Sequence, residues 1–362
     1  MSMYINKNFL FDLLKQIGPS GYEEDPSKIW KNYVSNFCQE VFTDFHGNSF
    51  AEINKGNQLR FLLSGHIDEI GFMVSQITDD GFIKFVPIGG WDNQIPQGQR
   101  VWIKSSKTSK IIPGGIAKKP IHLLKDESER NKVLKMEDLW IDIGASSKAE
   151  VEEVLNIGDP IVLAFEPIEI MNDNIMSRAI DNRVGAFVVA EALRLAKEIG
   201  VKSHIVSVAT VQEEIGLRGA YTSAYRVNPH IGIAVDVTFV SDDPGTKDSA
   251  KIIGEIKVSK GPTITRGPNI NPKLFDIHLK VAQKYNIPYQ IQPAPRGTGT
   301  DANIIQLTRE GPATSLISIP TRYLHTPIEI CNLKDLDAAV NLIAYSIKEI
   351  EDNYKLSDLI PF

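Results

Sequence analysis

The sequence predicts an α/β protein: a doubly wound core on a mainly parallel sheet, carrying an inserted small β-barrel or sandwich. Three observations carry this. The runs LRFLLSG (59–65), HIVSVATV (204–211), HIGIAVDV (230–237) and TSLISI (314–319) are short and almost continuously apolar, as strands buried on both faces of a parallel sheet are. Helical patterns stand between them. From about 75 to 171 the helical period fades, and glycines such as Gly81, Gly89, Gly98, Gly114, Gly144 and Gly158 space short Val/Ile/Phe segments.

In chain order, MSMYINKNFLFDLLKQIG reads as an amphipathic helix with Leu10, Leu13, Leu14 and Ile17 on one stripe, stopped at Gly18-Pro19-Ser20-Gly21. A second helix reaches about Phe37. Pro26 suits only a first turn, so the helix is placed to start there with Asp25 as its N-cap and Glu23, Glu24 and Asp25 at the favourable end of the dipole. Three further helices fall at 182–199, 272–285 and 333–350, their apolar residues recurring at helical spacing. The resulting division is a discontinuous catalytic unit, 1–74 and 172–362, and an insert, 75–171.

Composition excludes several function classes. With 362 residues and 42% of them hydrophobic, the chain is globular, neither disordered nor a fibrous repeat. Its net charge is -6, and the insert holds 12 basic and 15 acidic residues, so no basic surface is offered to nucleic acid. No apolar run nears the ~18 residues of a membrane span, and the first residues hold no signal-peptide core. Cys38 and Cys331 are far apart and pair with no other cysteine. The reading is of a cytoplasmic protein with reduced thiols.

The chemistry lies at the strand ends, where a doubly wound sheet puts its active site. His66 follows LRFLLSG, and Asp68, two residues on, faces the same way and either holds the imidazole or orients it. Glu213 and Glu214 end HIVSVATVQ, Asp236 ends HIGIAV, His325 follows TSLISIPTRYL, and Asp181 sits at the mouth of the 182–199 helix. Singly, each reads as a cap or a solvated loop residue. Their recurrence at strand ends, in a chain with only 7 histidines, points instead to two divalent ions sharing one carboxylate. Asp301, in RGTGTDANII, reads either as an N-cap or as lining a substrate pocket, and Arg183 as the partner of a core carboxylate.

The segments SGHIDEIGFMV, SRAIDNRVGAF, VQEEIGLRGA, AVDVTF and SIPTRYLHTPIEICN resemble the successive motifs of the M42 family of dinuclear metalloaminopeptidases, deblocking or glutamyl aminopeptidases that form tetrahedral dodecamers. The likeness starts at GPSGYEE and runs over nearly the whole chain. It implies that Asp181 bridges two metals, that His66 and Asp236 complete one site, and that Glu214 and His325 complete the other. Glu213 would be the general base and Asp68 the partner of His66. The ions would be zinc or cobalt, or manganese, all suited to mixed His/carboxylate donors. The reaction implied is removal of the N-terminal residue of a peptide: a metal-bridging hydroxide, its proton taken by Glu213, attacks the scissile carbonyl.

Two alternatives stand beside this one. M20-type carboxypeptidases or N-acyl-amino-acid deacylases share the ligand series, but their extra domain follows the Glu-Glu motif, whereas here the insert lies between His66 and Asp181. A non-catalytic scaffold of the same fold is the other. The insert, with Phe82, Phe85, Ile88 and Trp91 expected at its surface, is read as the oligomerisation unit, building dimers that assemble into a dodecamer.

Overall fold

The computed structural model describes residues 5–362. Residues 1–4 of the N-terminal helical stretch lie outside the described residues. The core is an eight-stranded sheet in the spatial order Glu40–Thr43, Ser49–Ile53, His204–Thr210, Arg60–His66, Ile231–Thr238, Ala313–Pro320, Thr263–Arg266, Gln290–Pro293. Its middle four strands are mutually parallel, from His204–Thr210 to Ala313–Pro320. Ser49–Ile53 on one side and the mutually parallel pair Thr263–Arg266 and Gln290–Pro293 on the other run antiparallel to that centre, while the edge strand Glu40–Thr43, antiparallel to Ser49–Ile53, runs with it. All eight residues of Ile231–Thr238 are buried, which accounts for the unbroken apolar run.

Two close approaches set the layers. A Cβ on Gly65 would lie 2.4 Å from the carbonyl carbon of Gly185, so the Ile180–Glu198 helix rests its backbone directly on the Arg60–His66 strand. Gly232, which pairs with Leu62 and so shares the opposite face, would meet Ile305 of the short Ala302–Ile305 helix. The Leu333–Asn353 helix packs on Ile180–Glu198, and the Pro272–Lys284 helix packs in turn on Leu333–Asn353.

The first two helices differ from the sequence reading at their ends. The first is Lys7–Lys15, capped by the Asn6 side chain accepting from the Phe9 N–H, with Ile17 buried in the segment beyond it. The second begins at Glu24, not Pro26, and stops at Val34 rather than Phe37; Asp25 lies inside it. Pro26 is thus the third helical residue, where the missing N–H would have had no intrahelical partner in any case.

Between the Arg60–His66 strand and the Ile180–Glu198 helix, a closed six-stranded antiparallel barrel runs from Gly71–Ile77 to Pro160–Leu163. It has its own core of Phe72, Val74, Ile83, Phe85, Val101, Ile103, Ile141 and Ile161. The expected surface positions are corrected here. Phe85 is in that core, and Trp91 stacks on Phe72 at a ring separation of 4.5 Å while donating its indole N–H to the Gly71 carbonyl. Phe82 and Ile88 are half-buried. A closed barrel turns every second side chain inward, so the apolar residues of its strands are mostly spent on its own interior. Among the described residues, the large apolar side chains it does expose are Val86, Ile111, Ile121, Leu123, Val133 and Ile157.

Candidate metal centre

Six of the seven candidate residues, His66, Asp181, Glu213, Glu214, Asp236 and His325, converge on one cleft at the carboxyl end of the parallel strands, with Asp68 behind them. His66 is the last residue of its strand, Asp236 lies near the end of Ile231–Thr238, and Glu213 and Glu214 follow His204–Thr210. Asp181 stands at the start of the Ile180–Glu198 helix, where it and Asn182 have non-helical dihedrals and are joined by a cis peptide. Asn182 fastens that end by donating to the Val235 carbonyl and accepting from the Gly185 N–H. The Gly65–Gly185 contact therefore delivers Asp181 to His66.

His66 Nε2 lies 3.2 Å from Asp181 Oδ1, 3.6 Å from Glu213 Oε2 and 3.9 Å from Asp236 Oδ1. His325 Nε2 lies 3.4 Å from Asp181 Oδ2 and 3.5 Å from Glu214 Oε2. Each oxygen of Asp181 thus faces a different imidazole. Among the described residues, two groups have donor atoms close enough to share an ion, His66–Glu213–Asp236 and His66–Asp181–Glu214.

The imidazoles are aimed from behind. His66 Nδ1 is 3.2 Å from the Asp68 carbonyl oxygen and 3.4 Å from its carboxylate. The same carboxylate accepts from the Ser20 hydroxyl and from the N–H groups of Glu213 and Glu214, so Asp68 ties the first histidine to the Glu-Glu segment. Burial opposes charge on Asp68, but the hydrogen bonds from His66, Ser20 and the Glu213 N–H prevail and hold its pKa below the usual range. His325 Nδ1 is 2.8 Å from the carbonyl of Gly90, just past the barrel strand Ile83–Ile88.

Two positioning carboxylates escaped the sequence reading. Glu329, fully buried in the Glu329–Asn332 strand, accepts from the Asp181 N–H through Oε2 and from the His325 N–H through Oε1. Its signal was a lone acid in the apolar segment PIEIC. Glu23, read as a first-turn acid, instead accepts from the N–H groups of Gly21 and Gln212, and burial together with the Asp68 charge lifts its pKa to about 7.

Asp301 precedes the Ala302–Ile305 helix but its side chain makes no cap; it accepts from the Ser64 and Thr210 hydroxyls beneath the strand ends. Its neighbours Gly299 and Thr300 line the cleft. Arg183 pairs with Glu69 at 2.8 Å, and Arg322 grips Asp242 with two hydrogen bonds.

The donor set fits divalent cations. Burial first, then neighbouring carboxylates, raise the pKa values of Glu214 and Asp236 and push Glu213 up to about 10 when only the protein's own charges act. Glu214 Oε1 is buried with no hydrogen-bond partner. Crowded buried carboxylates with an unspent oxygen call for added positive charge, and mixed nitrogen and oxygen donors suit first-row divalent ions.

Residues 47–342 match the family model described as M42 glutamyl aminopeptidase. The chain belongs to the M42 peptidase family. It is 35% identical over 347 residues to the lysyl aminopeptidase of Pyrococcus furiosus, covering 94% of this chain and 97% of that one. The TET aminopeptidase of a marine-sediment archaeon of the Thaumarchaeota superposes with a TM-score of 0.89 at 35% identity, over 98% of both chains. The TET1 peptidase of Pyrococcus horikoshii, which can assemble into a tetrahedron or a large octahedral shell, superposes at 0.82 with 29% identity, over 94% of this chain and 98% of that one.

As an M42 peptidase the chain is a hydrolase of the aminopeptidase class. The M20-type reading falls away with that membership. Above the cluster of this M42 chain opens a cleft of about 730 Å³, lined by the six candidate residues and by the strand ends around them. Among the described residues no helix is long and apolar enough to cross a membrane.

Proposed function

We propose that this M42 chain is a dinuclear aminopeptidase, releasing the first residue of peptides with a free N-terminus. The observation that carries it is the placement of Asp181, whose two oxygens face the Nε2 atoms of two different histidines inside a carboxylate cluster. Asp181 would be shared between two ions, His66 and Asp236 would hold one of them, and Glu214 and His325 would hold the other. Zinc, cobalt and manganese all suit these donors. Bound there, two divalent cations supply Lewis acidity to the scissile carbonyl and to the attacking water.

The chain's own residues do the rest. Glu213, buried at the cleft wall, takes the water's proton on its carboxylate and returns it to the leaving amine. Asp68 keeps the His66 ring turned so that Nε2 faces the cluster, and it holds the Glu213 and Glu214 backbone in place. The carboxylates of the cluster receive the substrate's free α-amine, which confines cleavage to the first peptide bond. A buried acid cluster of this kind has no use in a scaffold.

The barrel is read as the unit that builds dimers and, through them, a dodecamer. Two things support this: the exposed Ile111, Ile121, Leu123 and Val133, and the named assembly of the TET1 relative. The deciding experiment combines elemental analysis with aminopeptidase assays after chelation. Activity lost with the metal and restored by a divalent cation is the expected result; activity that survives verified metal removal overturns it.

A further inference from the structure

The cleft above the cluster carries a specificity. A substrate whose α-amine and scissile carbonyl sit at the cluster has only the remaining wall for its first side chain. Among the described residues lining that wall, none outside the six cluster residues is charged. Part of the wall is formed where the strands Thr263–Arg266 and Gln290–Pro293 pair in parallel, Thr265 opposite Gln292. Leu316 and Ser318 add to it from the neighbouring strand, and Leu324 from the loop before His325.

The polar groups of this wall are neutral and mostly spent. Gln292 donates through Nε2 to the Thr238 hydroxyl at 2.6 Å and accepts at Oε1 from the Thr263 hydroxyl at 3.1 Å. Thr265, only 1% exposed, has a buried hydroxyl with no hydrogen-bond partner. Close to the wall but outside its lining, Asp242 pairs with Arg322, Asp301 accepts from Ser64 and Thr210 through one oxygen while its other oxygen is buried, and the Arg266 guanidinium lies over the Phe275 ring. A lysyl or glutamyl side chain entering the wall would lose water and find no counter-charge among the residues lining it, whereas an uncharged side chain carries no such cost.

We infer that this chain prefers substrates with an uncharged first residue, with Thr265 and Gln292 setting the neutrality of the pocket. This rests on the aminopeptidase reading, and it departs from the charged preference that the names glutamyl and lysyl carry for its family and its Pyrococcus furiosus relative.

The test is a peptide series X-Ala-Ala with X as Leu, Met, Gln, Lys or Glu, comparing kcat/KM on the metal-loaded enzyme. The leucyl, methionyl and glutaminyl peptides should exceed the lysyl and glutamyl ones by about 100-fold, the scale set by burying an uncompensated charge. A lysyl or glutamyl peptide cleaved as well as the leucyl one overturns the inference while leaving the aminopeptidase reading intact. Release of no N-terminal residue from any member overturns both. Gln292→Glu, near-isosteric, should raise the Lys/Leu ratio of kcat/KM by about tenfold or more, and Thr265→Asp should act in the same direction. An unchanged ratio in variants with wild-type circular dichroism overturns the assignment of these two residues.

Discussion

At the scale of single residues, Glu213 and Glu214 are adjacent in sequence and opposite in setting. Glu214 Oε2 lies near His325, its other oxygen unspent, while Glu213 Oε2 lies near His66 and within reach of an ion shared with Asp236. The proposed base, Glu213, and the proposed shared ligand, Asp181, are told apart by metal content. Glu213→Gln should keep both ions while kcat falls by ~10²–10⁴, the range for losing a general base. Asp181→Asn should lose metal in elemental analysis. Equal metal loss in the two variants would sink the division. Glu329 offers a subtler test. Each of its oxygens accepts one backbone N–H, and an amide there would set an N–H₂ against a donor. Glu329→Gln should weaken metal affinity by ~10–100-fold in a chelator competition, with the ligands themselves untouched.

At the scale of elements, legibility followed period and failed at ends. The Leu333–Asn353 helix was readable because a 3.6-residue stripe puts its apolar side chains on one face, and the central strands because an unbroken apolar run suits a strand covered on both sides. The start at Glu24 was not, since a proline anywhere in a first turn costs no hydrogen bond. A buried histidine joins three elements: His278 of Pro272–Lys284 touches the hydroxyls of Ser346 and Ser315 in the neighbouring helix and strand. Burial pushes its pKa down to about 4 from the ordinary 6.5. The unfolded chain thus takes this proton first as pH falls. Its stabilising effect is intact above pH 6.5 and declines toward pH 4, by about 1.4 kcal/mol per pH unit. Urea unfolding at pH 7 and pH 5 should show wild type losing about 2 kcal/mol more than His278→Gln across that interval; equal losses would rule the burial effect out.

At the scale of the whole molecule, core and barrel have separate apolar interiors yet meet at the candidate metal centre, where the Gly90 carbonyl lies against the His325 ring. Replacing 75–171 by a short Gly/Ser linker should leave a folded core whose activity drops, since the His325 ring loses its partner. In analytical ultracentrifugation the intact protein should sediment as a large homo-oligomer and the deletion variant as a smaller species. A monomeric wild type, or a deletion that retains the full assembly, would overturn the role given to the barrel. N-acetylation of a good peptide substrate should slow cleavage sharply, because the blocked amine no longer reaches the carboxylates; preference for the acetylated peptide would reverse the reading of the cluster.

What the sequence determined by itself was the family-level class of protein and where along the chain the candidate residues stand. His66, Asp68, Asp181, Glu213, Glu214, Asp236 and His325 stand at strand and helix ends, and the geometry of a parallel sheet brings such ends to one side. What only the tertiary structure decided were contacts between residues remote in sequence. Glu329 beneath Asp181, Gly90 behind His325, Glu23 on Gln212 and the neutral wall of Thr265 and Gln292 are of this kind. Periodicity reports which way a side chain faces within its own element. It does not report which distant backbone N–H or carbonyl that side chain meets, because the meeting is set by close approaches such as Gly65 on Gly185, which exist only once the helix has settled on its strand.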